Sequence, residues 1–140
     1  MKIGVTGTRE GMTPYQANEV QAVLNGIMIM CQLDNITPEL HHGDCRGVDV
    51  EAAAIAKEIG YIIVCHPPKS TEQQGFFGGD EVREPAGYLQ RDRAIVDSTD
   101  SLLVVPLQMT WQPRGGTWYT HDYAVKRDKV VTMFYPSELV

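Results

Sequence analysis

The sequence predicts an α/β protein of Rossmann-like, three-layer build, with a parallel sheet of about five strands between helices. Three observations predict it. Short β-branched runs alternate with longer helical stretches in the order β-α-β-α-β-α-β-α-β. Tyr61–Cys65 and Ser101–Val105 are unbroken apolar runs, the pattern of strands covered on both faces. Glycine-rich segments follow several of the strands, where sheets of this kind bind ligands.

Each element has a local reason. Lys2–Thr6 is short and β-branched and ends at Gly7, which marks a buried strand. Thr13 and Pro14 form an N-cap and first helical residue, and Val20, Val23, Leu24, Ile27 and Met30 or Cys31 repeat at helical spacing. Met28 and Ile29 widen that apolar stripe. Glu39–His42 reads as a second strand stopped by Gly43-Asp44. Gly47–Gly60 is a helix with Val48, Ala52, Ile55 and Ile59 on one face and Gly60 as its stop. After Tyr61–Cys65, residues Lys69–Gly87 form the longest irregular stretch, of a length that is usually functional or mobile. Tyr88 to about Ser98 is a helix, Ser101–Val105 a strand, Gly115 to about Arg127 a helix, and Lys129–Tyr135 the last strand.

The chain's 140 residues are expected to form one domain, spanning residues 1–140. Its composition is 43% hydrophobic and 21% charged, the range of ordinary globular proteins rather than disordered or fibrous ones. Twelve basic against 18 acidic residues leave a net charge of −6, so nucleic acid and anionic membranes are not expected partners. The three cysteines are too few and scattered for a disulfide framework. Met1 leads straight into strand residues and no apolar run approaches membrane length, so a cytoplasmic protein with reduced thiols is expected.

Four segments carry candidate chemistry. Arg114-Gly115-Gly116-Thr117 opens a helix, where backbone amides, the helix dipole, a hydroxyl and a guanidinium suit a phosphate. Gly4-Val5-Thr6-Gly7-Thr8-Arg9 is a strand with a second possible phosphate or ribose loop. It lacks the G-x-G-x-x-G spacing and the acidic residue of a dinucleotide site, so a classical NAD site is not expected, and no motif calls for a cofactor. In Gly43-Asp44-Cys45-Arg46-Gly47-Val48-Asp49, Asp44 or Asp49 can accept from ribose hydroxyls and Arg46 can pair with phosphate; the plainer reading makes Asp44 a turn residue and Asp49 a helix-start charge. His41, His42, Asp44 and Cys45 lack zinc spacing, and no metal is expected. Arg91 and Arg93 sit two apart on a helix and so do not share a face; one is expected at the site and the other beside an acidic neighbour. Trp111 and Trp118 could stack a base, but a core or dimer contact is the commoner role of such an aromatic, and His121-Asp122 resembles an acid–base pair in sequence alone, a solvated helix face being the favoured reading.

Taken together, these segments and the Arg91-Asp92-Arg93-Ala94-Ile95-Val96 stretch resemble the SLOG superfamily, nearest its YspA/YpsA-related branch. That superfamily also includes DNA-processing protein A and the LONELY GUY phosphoribohydrolases. The resemblance spans nearly the whole chain. It implies a nucleotide or nucleotide-derived ligand at the carboxyl edge of the sheet. Gly115, Gly116 and Thr117 would hold a phosphate, and Gly7, Thr8, Gly43 and Asp44 would line the other side. It also implies a homodimer. Enzymatic relatives carry Pro-Gly-Gly-x-Gly-Thr-x-x-Glu, whose Glu serves hydrolysis of an N-glycosidic bond. Here Thr117 matches the motif's Thr and Thr120 stands in place of the Glu, so an enzyme would need Asp44, Asp49 or Asp122 as its carboxylate. A binding or sensing module is therefore the leading expectation. Hydrolysis of nucleoside 5′-monophosphates is the alternative, and single-stranded DNA binding a second one.

Overall fold

Strand β1 (Lys2–Gly7) runs through the middle of the sheet because its alternate residues serve two cores. Ile3 and Val5 point into one core, and Gly4 lies against Ile95 on the opposite face. The computed structural model describes residues 1–138. In chain order the other elements are α1 (Pro14–Leu33), β2 (Glu39–His42), α2 (Val48–Ile59), β3 (Ile62–Cys65), β4 (Glu81–Val82), α3 (Tyr88–Asp97), β5 (Ser101–Val105), α4 (Gly116–Lys126) and β6 (Val130–Met133).

All strand pairs are parallel, in the order β4-β3-β2-β1-β5-β6. The chain works outward from β1 to β4, then returns to lay β5 on the other side of β1. That reversal makes the gap beyond β1 and β5 the switch point of the sheet, where such folds leave a crevice. Helices α1 and α2 cover one face with Val20, Leu24, Val48, Ala52 and Ala56, against Ile3, Val5, Leu40, Ile63, Leu103 and Val105. Helices α3 and α4 cover the other with Ile95, Val96 and Ala124, against Leu102 and Val104. The alternation along β5, Leu102 and Val104 one way and Leu103 and Val105 the other, explains why its sequence is apolar throughout.

Helix α1 begins as expected, with a reciprocal cap: Gln16 N donates to Thr13 Oγ1 at 3.1 Å and Thr13 N to Gln16 Oε1 at 3.0 Å. Gln16 is also fully buried, and its Nε2 donates to the Pro106 and Phe134 carbonyls, both at 2.8 Å, fixing the ends of β5 and β6. The apolar stripe of α1 is narrower than its sequence suggests. Val20, Leu24, Met28 and Cys31 are buried, whereas Ile29, Met30 and Leu33 are exposed.

The strand count is six rather than five. The added strand, β4, is two exposed residues within the long irregular stretch and pairs with Val64 and Cys65. Two exposed residues carry no hydrophobic alternation, so nothing local announces them. The stretch is also tied down. Asp44 Oδ1 accepts from Phe77 N at 2.8 Å and Gly78 N at 3.2 Å, and Oδ2 from Gln74 Nε2 at 2.9 Å. Arg46 N donates to the Gln73 carbonyl, and Ile63 N to Asp80 Oδ2, each at 2.8 Å. No helix among the described residues is long and apolar enough to cross a membrane.

Candidate functional site

A cleft of about 310 Å³ opens at the switch point. One wall is the end of β1 and the loop after it, Thr6 to Glu10. The opposite wall is Arg114–Trp118, and the floor is Arg91, Asp92 and Ile95 of α3 with Asp49 of α2. A second hollow of about 450 Å³ adjoins it. The two share Arg9, Arg91, Asp92, Arg114, Gly115 and Gly116, and the second adds Tyr88, Leu89 and Tyr119.

Two helices begin at this edge, and the chain treats them differently. At α2, Val48 N donates to the Thr8 carbonyl at 3.1 Å, and Asp49 Oδ2 accepts from Cys45 N at 3.2 Å, so that end is closed by the protein itself. Gly47 permits the close approach: it has φ of +89°, and a Cβ there would lie 2.5 Å from the Thr8 carbonyl oxygen. At α4 the N-cap is Gly115, with φ of 101° and no side chain to cap the helix. Among the described residues, the Gly116, Thr117 and Trp118 amides have no acceptor, and they face the cleft. An open helix start beside Arg9 and Arg114, both exposed, presents amide donors and positive charge to an anion.

Beneath it lies a buried charged group. Arg91 Nε donates to Asp92 Oδ1 at 2.9 Å, and Arg91 Nη1 donates to the Gly43 carbonyl. Burial pushes the Asp92 carboxyl up to about 6, against the pull of Arg91. Burial also raises the Asp49 carboxyl, opposed by His42 and Arg91. The Cys45 thiol is raised by burial, with the Asp49 charge adding to it, which leaves it a poor nucleophile.

The expected site residues divide into two groups. Gly7, Thr8, Arg9, Asp49, Arg91, Arg114, Gly115, Gly116 and Thr117 come together around the cleft. Gly43, Asp44, Arg46 and Arg93 lie outside it, and Asp122 reaches only the adjoining hollow. Gly43 is packed under the Arg91 guanidinium, 2.8 Å from where its Cβ would be. Asp44 is only 1% exposed, with both oxygens taken by the 69–87 stretch. Arg46 is exposed away from the cleft. Arg93 does not pair with an acid: its Nε donates to Tyr119 Oη at 2.6 Å, while Arg91 takes both roles expected of the two. Asp122 accepts from Trp111 Nε1 at 3.1 Å and pairs with His121 Nδ1 at 2.8 Å, at an exposed position. Trp118 is buried, with Nε1 donating to Gln108, while Trp111 is exposed.

Asp92 is a floor group that no motif in the sequence marks out. In sequence it is only the residue between two arginines; its burial depends on α4 packing across α3. Another cluster, His42, Asp44 and Cys65, has its potential ligand atoms within 4.8 Å of one another. It fits a metal poorly. His42 Nε2 donates to the Gly78 carbonyl at 2.7 Å and Nδ1 accepts from Asp44 N at 3.0 Å, so no ring lone pair is free. The Cys65 thiol is pushed up to about 12 by burial and the neighbouring Asp44 and Asp49 charges.

No protein-family model matches the chain, and no curated protein matches it in sequence. Solved structures do match. The molybdenum cofactor binding protein of Rippkaea orientalis gives a TM-score of 0.68 at 21% identity, over 97% of this chain and 77% of that one. DNA processing protein A of Streptococcus pneumoniae also gives 0.68 at 21% identity, over 99% of this chain and 51% of that one. The molybdenum cofactor carrier protein of Chlamydomonas reinhardtii gives 0.63 at 21% identity, over 94% and 74%. Likeness at this level of identity is likeness of fold: this chain shares the Rossmann-like α/β fold of these proteins.

Proposed function

We propose that this chain binds a nucleotide or nucleotide-derived small molecule at the carboxyl edge of its sheet, as a sensor or binding module. The observation that carries the reading is the open start of α4, with three unpartnered amides between Arg9 and Arg114. Amides in that arrangement bind an anion without reorganisation. The adjoining hollow, with Tyr88 and Tyr119, is large enough for the rest of such a ligand. Proteins of like fold are described as binding or carrying a small molecule, the molybdenum cofactor. Another, DNA processing protein A of Helicobacter pylori, is described as binding single-stranded DNA. The net charge of −6 and the two exposed arginines at this cleft favour a small anion over a polyanion.

The test is thermal shift and titration calorimetry against a panel of mononucleotides, dinucleotides and cyclic nucleotides. Stabilisation by at least one of them, lost in Gly116→Asp, is expected. A panel that leaves the melting temperature unmoved sinks the reading.

A second reading, hydrolysis of a nucleoside 5′-monophosphate at its N-glycosidic bond, is favoured by one observation. Asp49 lies in the cleft floor, and burial favours its protonated form, as a general acid requires. Chromatography for free base after incubation with monophosphates decides it, with Asp49→Asn as the control.

A further inference from the structure

Helix α1 has two apolar faces, and the chain uses one of them. Val20, Leu24, Met28 and Cys31 are buried in or beside the core. With successive residues roughly 100° apart, Ala22, Gly26, Ile29 and Leu33 lie within roughly 40° of the direction opposite Leu24. All four are exposed, Ile29 by 60% and Leu33 by 80%, and Met30 flanks them at 69%. Their spacing of four, three and four residues is that of a coiled-coil seam. Ile36, 46% exposed just past the helix end, extends the apolar face.

Two further observations bear on what covers this face. Gly26 sits inside the helix without a positive φ, where glycine costs stability relative to alanine. Among the described residues nothing lies within 4 Å of the point a Cβ on Gly26 would occupy, so the packing of this chain gives no reason for a glycine there. A second helix crossing at Gly26 supplies one, because a bare backbone lets the two axes approach. The face also carries no charge: Val20–Leu33 is the longest charge-free run in the sequence. It is bordered by Asn18, Asn25 and Gln32, all exposed. Their amides both donate and accept, so they can pair with their own kind across a two-fold axis.

We propose that the outer face of α1 binds the same face of a second copy of this chain, with the two helices antiparallel. The proposal stands apart from the anion-binding reading above. The seam is small at its start, Ala22 and Gly26, and large at its end, Ile29 and Leu33. An antiparallel pair sets small against large throughout. With the two-fold axis between Gly26 and Ile29, Ile29 of each copy meets the partner's Gly26, and Leu33 meets the partner's Ala22. A parallel pair would set Leu33 against Leu33 and leave a gap at Gly26. One helix pair of this length buries less than the roughly 800 Å² per partner of a standard interface, which places the dimer among the weak, dissociable ones.

The test is sedimentation velocity on the full chain from about 5 to about 500 µM. A reversible equilibrium is expected, with the mass rising from 15.6 kDa towards twice that value. Leu33→Glu is expected to weaken dimerisation by roughly tenfold or more, because it seats a charge on the partner's Ala22. Adding Ala22→Lys is expected to restore it, since each new acid then meets the partner's new base. Within one helix the two positions are 11 residues apart, roughly 16 Å, too far to pair. Gly26→Ala separates an interface from a merely structural role. It is expected to raise the melting temperature of the dilute monomer, as helix propensity dictates, and yet to weaken the dimer. These positions lie outside the core, and the variants are expected to keep the wild-type circular dichroism spectrum. A chain that stays monomeric at about 500 µM, whether or not another protein covers this face, overturns the proposal. So does a dimer that Leu33→Glu or Gly26→Ala leaves unchanged, or one that Ala22→Lys does not restore.

Discussion

Arg91 and Asp92 are neighbours in sequence and partners in space, with Nε to Oδ1 at 2.9 Å. Successive helical residues point roughly 100° apart, so the guanidinium must fold back to meet the carboxylate. Its Nη1 reaches on to the Gly43 carbonyl. One buried ion pair thus ties α3 to the turn after β2 and forms the floor of the cleft.

Removing half of that pair is expected to be costly. Arg91→Ala leaves Asp92 and the Gly43 carbonyl unpaired, at about 3–5 kcal/mol. The cost depends on pH in a defined direction. Burial raises the Asp92 carboxyl to about 6, so the folded state holds its proton below that pH and carries the bare charge above it. Urea unfolding is therefore expected to show a larger loss for Arg91→Ala at pH 8 than at pH 5. Equal losses would mean that the Asp92 charge is not what Arg91 compensates.

Asp44 anchors the 69–87 stretch rather than a ligand. Asp44→Ala strips the acceptor from the Phe77 and Gly78 amides, at about 1–3 kcal/mol for each buried group left unpaired. It also places a residue with φ of 57° where Asp is better tolerated than Ala. Limited trypsinolysis is expected to cut at Lys69 and Arg83 faster in Asp44→Ala than in the wild type. Asp44→Asn, which keeps one acceptor oxygen and the backbone preference, is expected to lie between them.

A hydrogen-bonded chain runs from half-buried Glu39 to buried His41 and His66, with His41 Nε2 to Glu39 Oε1 at 2.9 Å and His41 Nδ1 to His66 Nε2 at 2.8 Å. If His41 is neutral and donates Nε2–H to Glu39, its Nδ1 must accept from His66. Burial and the neighbouring His41 lower His66 to about 3. The unfolded chain then binds a proton at His66 from about pH 6.5 downward that the folded chain refuses. Stability is expected to fall as pH drops from 6.5 towards 3, by about 2 kcal/mol at pH 5 from His66. Asp92 works in the opposite sense between about 6 and 3.8, so the comparison of wild type with His66→Gln isolates the histidine. A denaturation profile with the same pH slope in both proteins rules this assignment out.

Gly47 allows the loop after β1 to cap α2. Gly47→Ala forces a Cβ against the Thr8 and Arg9 backbone and strains a φ of +89°. Denaturation is expected to show a loss greater than about 1 kcal/mol. Nucleotide binding is expected to weaken with it, since Thr8 and Arg9 line the cleft. Gly78→Ala has a similar φ of +71° but no neighbour within 4 Å, and is expected to leave binding unchanged.

Much of the fold was legible because its signals are local. The Thr13-Pro14 cap, the stop at Gly60 and the apolar runs Tyr61–Cys65 and Ser101–Val105 each predict an element found within a residue or two. Strand β4 was not legible, because two exposed residues owe their pairing to an edge that Val64 and Cys65 happen to offer. The outer face of α1 misled in the other direction: Ile29 and Met30 are apolar, but nothing packs over them in this chain.

The alternation of strand and helix periods by itself determined a parallel sheet with glycine loops along one edge, since each segment's pattern reflects only its own two faces. Which of those loops meet was decided by the tertiary structure. The return of β5 to the flank of β1 brings Arg9 opposite Arg114 and leaves Arg46 outside. The packing of α4 over α3 buries Asp92 and leaves Arg93 in solvent. Charge and spacing place a residue on a loop or helix face, but burial comes from what the rest of the chain lays across it, and here burial sets the character of the cleft floor.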